Sequence, residues 1–184
     1  MRWTWMWMVV LGMVLSATSV WPQEEITVTG RVIGPDGEAV AGEDVWWRYR
    51  GTDGRHWLNV NTHADGSFEI VFTSKYPAKY CTAVVVADGY ALAYAMPADG
   101  PLEIKLSREM GAISGTVADP DGNPLAGVDV VVRSLVEPGR AFGSAAYFGD
   151  WDGAPAALTD DQGRFSIGAL PMGHQISLAA ERAG

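Results

Sequence analysis

The strongest constraint on this chain is that it repeats itself once. Gly30-Arg31-Val32, Pro35-Asp36-Gly37 and Ala41-Gly42 recur as Gly115-Thr116-Val117, Pro120-Asp121-Gly122 and Ala126-Gly127, each offset by 85 residues. Further on, Asp65-Gly66-Ser67-Phe68-Glu69-Ile70 answers to Gln162-Gly163-Arg164-Phe165-Ser166-Ile167 at an offset of 97, so the second copy carries an insertion over residues 136–157. A period this long exceeds the roughly 20–50 residues of a solenoid unit and corresponds to one domain per copy. Two tandem modules are therefore predicted, 24–110 and 111–184, touching end to end.

Within each copy the alternation is that of strands. Ile26 to Val32 and Phe68 to Phe72 alternate apolar and polar side chains, as strands with one inward face require. Pro35-Asp36-Gly37 and Pro120-Asp121-Gly122 follow such runs as tight turns: proline presets φ, aspartate bonds its own backbone and glycine accepts a positive φ. No stretch after residue 22 keeps helical apolar spacing over three turns, so helices should be short or missing. Strands separated by turns at short intervals predict sandwiches of antiparallel sheets. Aligning Ser177–Gly184 with Thr82–Gly89 leaves no counterpart for Tyr90–Tyr94 and Leu102–Leu106. The second module is thus expected to lack two strands, and the chain to be a piece of a longer protein.

The amino-terminal segment reads as an address. Arg2 precedes an apolar run from Trp3 to Leu15 broken only by Thr4, and Ala17 and Ser19 fit the small-x-small cleavage rule. Residues 1–19 are read as a secretory signal, with the mature chain starting near Val20. The alternative is an uncleaved anchor over residues 3–21, close to the ~20 apolar residues of a spanning helix. Either reading puts the remainder outside the cytoplasm, secreted or in the periplasm or cell envelope.

Charge and cysteine usage narrow the function. Thirteen Lys and Arg against 22 Asp and Glu give a net charge of −9, and no run of basic residues offsets it, so nucleic acid is not an expected partner. Membrane contact is expected only through residues 3–21. With Cys81 as the single cysteine, neither an intrachain disulfide nor a thiolate zinc cage can hold the fold. The 22 glycines and 10 prolines imply many turns but fall below the roughly 25–30% share of aperiodic disordered chains.

Gly-x-Val, Pro-Asp-Gly, Ala-Gly, a valine-rich strand and then Asp-x-x-Gly-x-Phe-x-Ile resemble carboxypeptidase regulatory-like domains. The likeness covers nearly all of 26–106 and, as far as it goes, 112–184, with Thr159–Pro171 matching the family's strand-entry signature. It implies transthyretin-like, immunoglobulin-like seven-stranded sandwiches: an all-β fold of two tandem antiparallel β-sandwich domains, the second truncated. The family's members are non-catalytic accessory modules, and their grouping with starch-binding-like sandwiches implies carbohydrate contact as one role.

Catalytic and metal-binding patterns are missing from the sequence. His56, His63 and His174 have no acidic ligand at His-x-x-Glu spacing, and Gly-x-Ser-x-Gly is absent, Gly143-Ser144-Ala145 being a small-residue loop. Asp119, Asp121 and Asn123 alternate like calcium ligands, but Pro124 and Val130 stand where such a loop needs glycine and glutamate. A plain turn is the expected reading, and no metal or cofactor is expected. The contact candidates are aromatic. Along β-type alternation Val45, Trp47 and Tyr49 face the core, leaving Trp46, Arg48 and Arg50 outward, where a tryptophan between cations can stack on a sugar or on a neighbouring domain. The insertion adds Phe142, Tyr147, Phe148 and Trp151 beside Asp150 and Asp152, to meet a polyhydroxylated ligand or to fold back over the sandwich edge. Trp46, Arg48, Phe142, Tyr147, Phe148 and Trp151 are therefore the candidate ligand residues. The expected function is a non-catalytic exported binding or spacer module of a larger cell-envelope or secreted protein, its partners a polysaccharide or neighbouring domains. The alternatives are a carbohydrate-binding accessory module, or an appendage of a secreted peptidase or glycoside-active enzyme continuing beyond Gly184.

Overall fold

The computed structural model describes residues 24–74, 76–97, 100–139, 145–149 and 151–182; the leader expected over 1–19 and the candidate Phe142 lie outside the described residues. The described chain is all-β, in antiparallel sandwiches. Its single helical element among the described residues is a 3-10 turn at Ala78–Tyr80.

In the first half, β1 (Glu24–Ile33) lies between β4 (Ser67–Ser74), antiparallel, and β7 (Leu102–Lys105), parallel. Against this sheet packs a four-stranded antiparallel one in the order β3 (Arg55–Asn61), β2 (Asp44–Arg50), β5 (Thr82–Val85), β6 (Ala93–Ala95). Val45 and Trp47 from one sheet and Phe68, Ile70, Phe72 and Ile104 from the other fill the core between them. The alternation of β4, buried at every second residue, is the sequence pattern made physical.

The second half repeats this wiring with β8 (Met110–Thr116), β9 (Val128–Val136), β10 (Ala146–Tyr147), β11 (Ala156–Leu158), β12 (Arg164–Pro171) and β13 (Gln175–Arg182). β12 pairs with β8, while β9 is flanked by β13 and by β11 and β10. Among the described residues the β8–β12 sheet has two strands where its counterpart in the first half has three.

The repeated glycines have a common cause. Gly30 lies directly across from Phe68, and Gly115 across from Phe165. A Cβ on Gly30 would fall 2.4 Å from the Phe68 ring, and one on Gly115 would fall 2.8 Å from the Phe165 ring. Each aromatic ring thus lies on the bare backbone of the glycine opposite, which covers the exposed peptide and ties Gly-x-Val to Gly-x-Phe across the sheet. The glycine before each phenylalanine strand, Gly66 at φ 76° and Gly163 at φ 68°, takes the left-handed conformation that turns the chain into β4 and β12. Their carbonyls accept the Val32 and Val117 N–H groups at 2.9 and 2.8 Å.

The halves do not meet end to end. They lie side by side, and a single buried cluster holds Val84 and Leu92 of the first half with Val130, Val132, Phe148, Trp151 and Leu170 of the second. The backbone joins in as well. β12 carries a one-residue bulge between Ile167 and Leu170, and within it Ala169 sits at φ 54°, a left-handed conformation that costs an L-residue about 1–2 kcal/mol. Its carbonyl accepts the Leu92 N–H at 2.7 Å, so the bulge offers an acceptor to the first half.

Candidate functional site

The alternation of β2 decides where the site lies. Val45 and Trp47 are fully buried in the first core, so the side chains between them belong to the opposite face of the sheet. On that face β2 contributes Trp46 and Arg48; β3 contributes Arg55 and Trp57; β5 and β6 contribute Val84 and Tyr94. Trp46 is paired with Val84 and Val84 with Tyr94, an apolar row across three strands.

Part of the insertion covers this row. Phe148 hydrogen-bonds through its N–H to the Arg133 carbonyl at 2.9 Å, and turns closed by the Trp151 and Ala154 amides carry the chain back towards β11. Trp151 stacks on Trp57, 4.9 Å between centroids at 18°, and meets Trp46 at 5.5 Å and 55°. Phe148 backs it at 5.8 Å. Gly153 lies against the indole, where a Cβ would fall 2.7 Å from the ring. Aromatic pairs in such offset or tilted contact contribute about 0.5–1.5 kcal/mol each beyond burial.

The candidates thus separate. Phe148 is fully buried and Trp151 nearly so, and neither presents a face to a ligand. Trp46 does point away from its own core, as alternation requires, but it is half-buried under Trp151 rather than exposed. Arg48 is half-buried, Tyr147 is exposed, and both line an open cleft of about 680 Å³ beside the tryptophan joint.

Arg50 and Arg55 of the first half and Arg133 of the second also face this cleft. Arg50 and Arg55 are direct cross-strand partners at the mouth of the β2–β3 hairpin. Arg133 donates to the Glu181 carboxylate and to the Gly149 carbonyl. Exposed rings of Tyr76 and Tyr80 complete the wall, with the Arg50 guanidinium 5.3 Å above Tyr76. Cys81 lines the cleft too, and burial pushes its thiol up to about 12 despite the nearby Arg48 charge, so it stays protonated and unreactive at neutral pH.

Sequence reasoning missed Trp57, Arg55, Tyr76 and Tyr80. The first two were within reach, because Arg55, Trp57 and Asn59 alternate on one face of a strand that the Gly51–Gly54 turn pairs with β2. Tyr76 precedes a 3-10 turn that Tyr80 ends, and neither position belongs to a periodic pattern.

The remaining polar groups serve their own turns. The Asp119 carboxylate accepts the Asp121 and Asn123 amides and the Asn123 side chain, and these bonds hold its pKa below the usual carboxylate range. His56 bonds Asp53 at 2.7 Å and so lowers the Asp53 pKa, while His174 packs edge-on against Tyr94. Among the described residues no three His, Cys, Asp or Glu side chains gather as a metal site, and no helix is long and apolar enough to cross a membrane.

No protein-family model and no curated protein matches the chain. Solved structures give distant likenesses. A streptococcal ancillary pilin is 13% identical over 87% of this chain and 55% of its own, with a TM-score of 0.31. A single B repeat unit of the collagen-binding surface protein of Staphylococcus aureus is 15% identical over 86% of this chain and 85% of its own, TM-score 0.31. The Bacillus anthracis TIE protein is 16% identical over 83% of this chain and 28% of its own, TM-score 0.30. The chain spans about half the length of the ancillary pilin, and scores this low say nothing about its role.

Proposed function

We propose that the chain is a non-catalytic, exported spacer. In this reading two carboxypeptidase regulatory-like modules, 24–110 and 111–184, are locked side by side into one stiff unit of a larger cell-envelope or secreted protein. The insertion 136–157 acts as the lock. The observation that carries this reading is the seating of Trp151 on Trp57 and Trp46, which commits the tryptophans of the first half's outer sheet face to the second. The leader over residues 1–19 supplies the route out of the cytoplasm. The test is backbone 15N relaxation on the mature chain, where residues of both halves should share one rotational correlation time. Two separate times would overturn the spacer reading.

A second reading, an accessory module for carbohydrate, is favoured by Tyr147, which is exposed on the cleft beside Arg48. Retention on polysaccharide affinity gels that Tyr147→Ala abolishes supports it; a wild-type chain that no gel retains removes it. A catalytic signature encoded past Gly184 would recast the modules as an enzyme's appendage.

A further inference from the structure

We propose that the outer edge of β8 takes up a strand donated by a neighbouring domain of the larger protein. The donated strand runs parallel to residues 115–118, carries apolar side chains at three alternate positions and has a cation two residues beyond the last of them. Its source rests on the spacer reading, whereas the edge and the chemistry of the strand rest on the repeat itself.

The first half shows what such a strand does. β7 lies parallel to β1, with Leu102 beside Gly30 and Ile104 beside Val32, and the Leu106 N–H donates to the Ile33 carbonyl at 2.8 Å. Leu102, Ile104 and Leu106 are all buried in the first core. At the repeat offset of 85, the same edge in the second half runs through Gly115, Thr116, Val117 and Ala118. Among the described residues no strand pairs with it. The Val117 N–H is turned the other way, to the Gly163 carbonyl at 2.8 Å, so by alternation the N–H and C=O groups of Thr116 and Ala118 face outward along the edge. β8 also has neither a charged residue nor a proline, the usual means of keeping an edge strand from pairing. The consequence for the core is local. Val32, Val40, Phe68 and Val85 are buried, whereas their counterparts Val117, Leu125 and Phe165 are half-buried and Ala180, which pairs with Val130 as Val85 pairs with Val45, is exposed. Val45 and Ile70 match Val130 and Ile167, and all four are buried. The second core is thus open at the corner that β7 fills in the first.

Charge narrows the occupant further. Two residues beyond Leu106, Arg108 donates to the Asp36 and Glu38 carboxylates at 3.1 Å each, on the turn that follows β1. The matching turn after β8 carries Asp119 and Asp121, and among the described residues no cation pairs with either. A strand patterned like β7 and its flank would therefore bring apolar cover to the corner and a positive charge to the acidic turn together. A second copy supplies no such strand. The inward positions of its β8 are Gly111, Ile113 and Gly115, one large side chain among three, and the strand has no cation. A saccharide would leave Thr116 and Ala118 without a ladder and the corner without apolar cover. Strand addition gains affinity from the main-chain bonds and selectivity from the alternate side chains, and this edge offers places for both.

The probe is an end-capped synthetic peptide of residues 101–109, titrated into the full mature chain and followed by 15N NMR, amide hydrogen exchange and sedimentation. The Thr116 and Ala118 amides should shift and exchange at least tenfold more slowly, while those of Arg31 and Ile33, whose edge β7 already occupies, should not change. A paramagnetic label at the amino end of the peptide should broaden Ile113 more than Asp121, as the parallel direction requires. Replacing Leu102, Ile104 and Leu106 of the peptide by serine, or N-methylating its Leu106, should weaken binding at least tenfold. Arg108→Gln in the peptide should weaken it severalfold; Asp121→Asn in the protein, a change on an exposed turn, should do the same, and the two together should cost little more than either. No binding at millimolar peptide while both halves share one correlation time overturns the strand site and leaves the spacer reading standing; two correlation times with binding intact do the reverse. Equal binding of the serine peptide, a reversed paramagnetic pattern, an Arg108→Gln peptide of unchanged affinity, or a concentration-dependent dimer that shifts Thr116 without peptide also overturns the proposal.

Discussion

The two halves of this protein are wired alike and held together differently. In the first, a four-stranded sheet and a three-stranded one close on a core that includes Trp47, Phe68, Phe72 and Ile104, drawn from its own strands. In the second, the sheet equivalent to β4-β1-β7 has two strands among the described residues, and the buried cluster takes in Val84 and Leu92 from the outer face of the first half. The difference teaches that one pattern of turns and alternating strands specifies a topology without specifying how its apolar surface is finally covered. The first half covers its own; the second uses a neighbour and an aromatic insertion to do so.

The largest effects should come from the two central tryptophans, and they should differ in reach. Trp47→Ala empties the core of the first half and should cost about 3–5 kcal/mol. Because the second half leans on that sheet, both halves should unfold together in denaturant. Trp151→Ala has a similar local cost but removes only the lock. Urea titration followed by NMR should show the second half melting first while the first half remains folded. If the first half unfolds with it, the asymmetry between the halves is broken.

How far the sequence reaches is visible in this same pair of residues. Trp47 could be assigned to the core from alternation, and Gly30, Gly115, Phe68 and Phe165 stood out because both copies repeat them, although the strands that carry each glycine and its phenylalanine are far apart in the chain. The seating of Trp151 on Trp57 could not. It joins residues 94 positions apart across an insertion that has no counterpart in the first copy, so no periodicity or internal alignment announces it. The sequence also leaves open whether Trp46 meets a sugar or a neighbour, because alternation fixes the face and not its occupant. The bulge at Ala169 is hidden for another reason: nothing distinguishes its alanine from one in a regular strand.

A sharper comparison comes from the matched glycines. Gly30→Ala would drive its Cβ into the Phe68 ring and to 2.5 Å from the Leu102 carbonyl of β7, and backbone cannot swing aside. Gly115→Ala meets only the Phe165 ring at 2.8 Å, which can tilt. The first substitution should cost about 2–3 kcal/mol and the second about 1 kcal/mol or less, by chemical denaturation. Equal costs would mean that β7 does not restrain β1 as its parallel pairing implies. Ala169→Gly should have the opposite sign. It relieves a left-handed alanine while keeping the carbonyl that accepts from Leu92, so the joint should be stabilised by about 0.5–1 kcal/mol.

The smallest expected effect is confined to alkaline pH and to the first half. Cys81 is buried in the folded chain and its thiol is pushed up to about 12, whereas in the unfolded chain it titrates near its ordinary value of about 8.5. Below the unfolded value both states hold the proton and the folded state keeps its full advantage. As pH rises above it, the unfolded chain releases the proton and the folded chain does not, so stability falls progressively towards pH 12. Cys81→Ala should therefore flatten the alkaline limb of the first half's stability measured between pH 8 and 10. The second half has no cysteine, so its own limb over that range should be unchanged by the substitution. Thiol labelling gives the same contrast kinetically: Cys81 should react slowly in the native chain at pH 8 and quickly once the first half is unfolded, even under conditions where Trp151→Ala has already released the second.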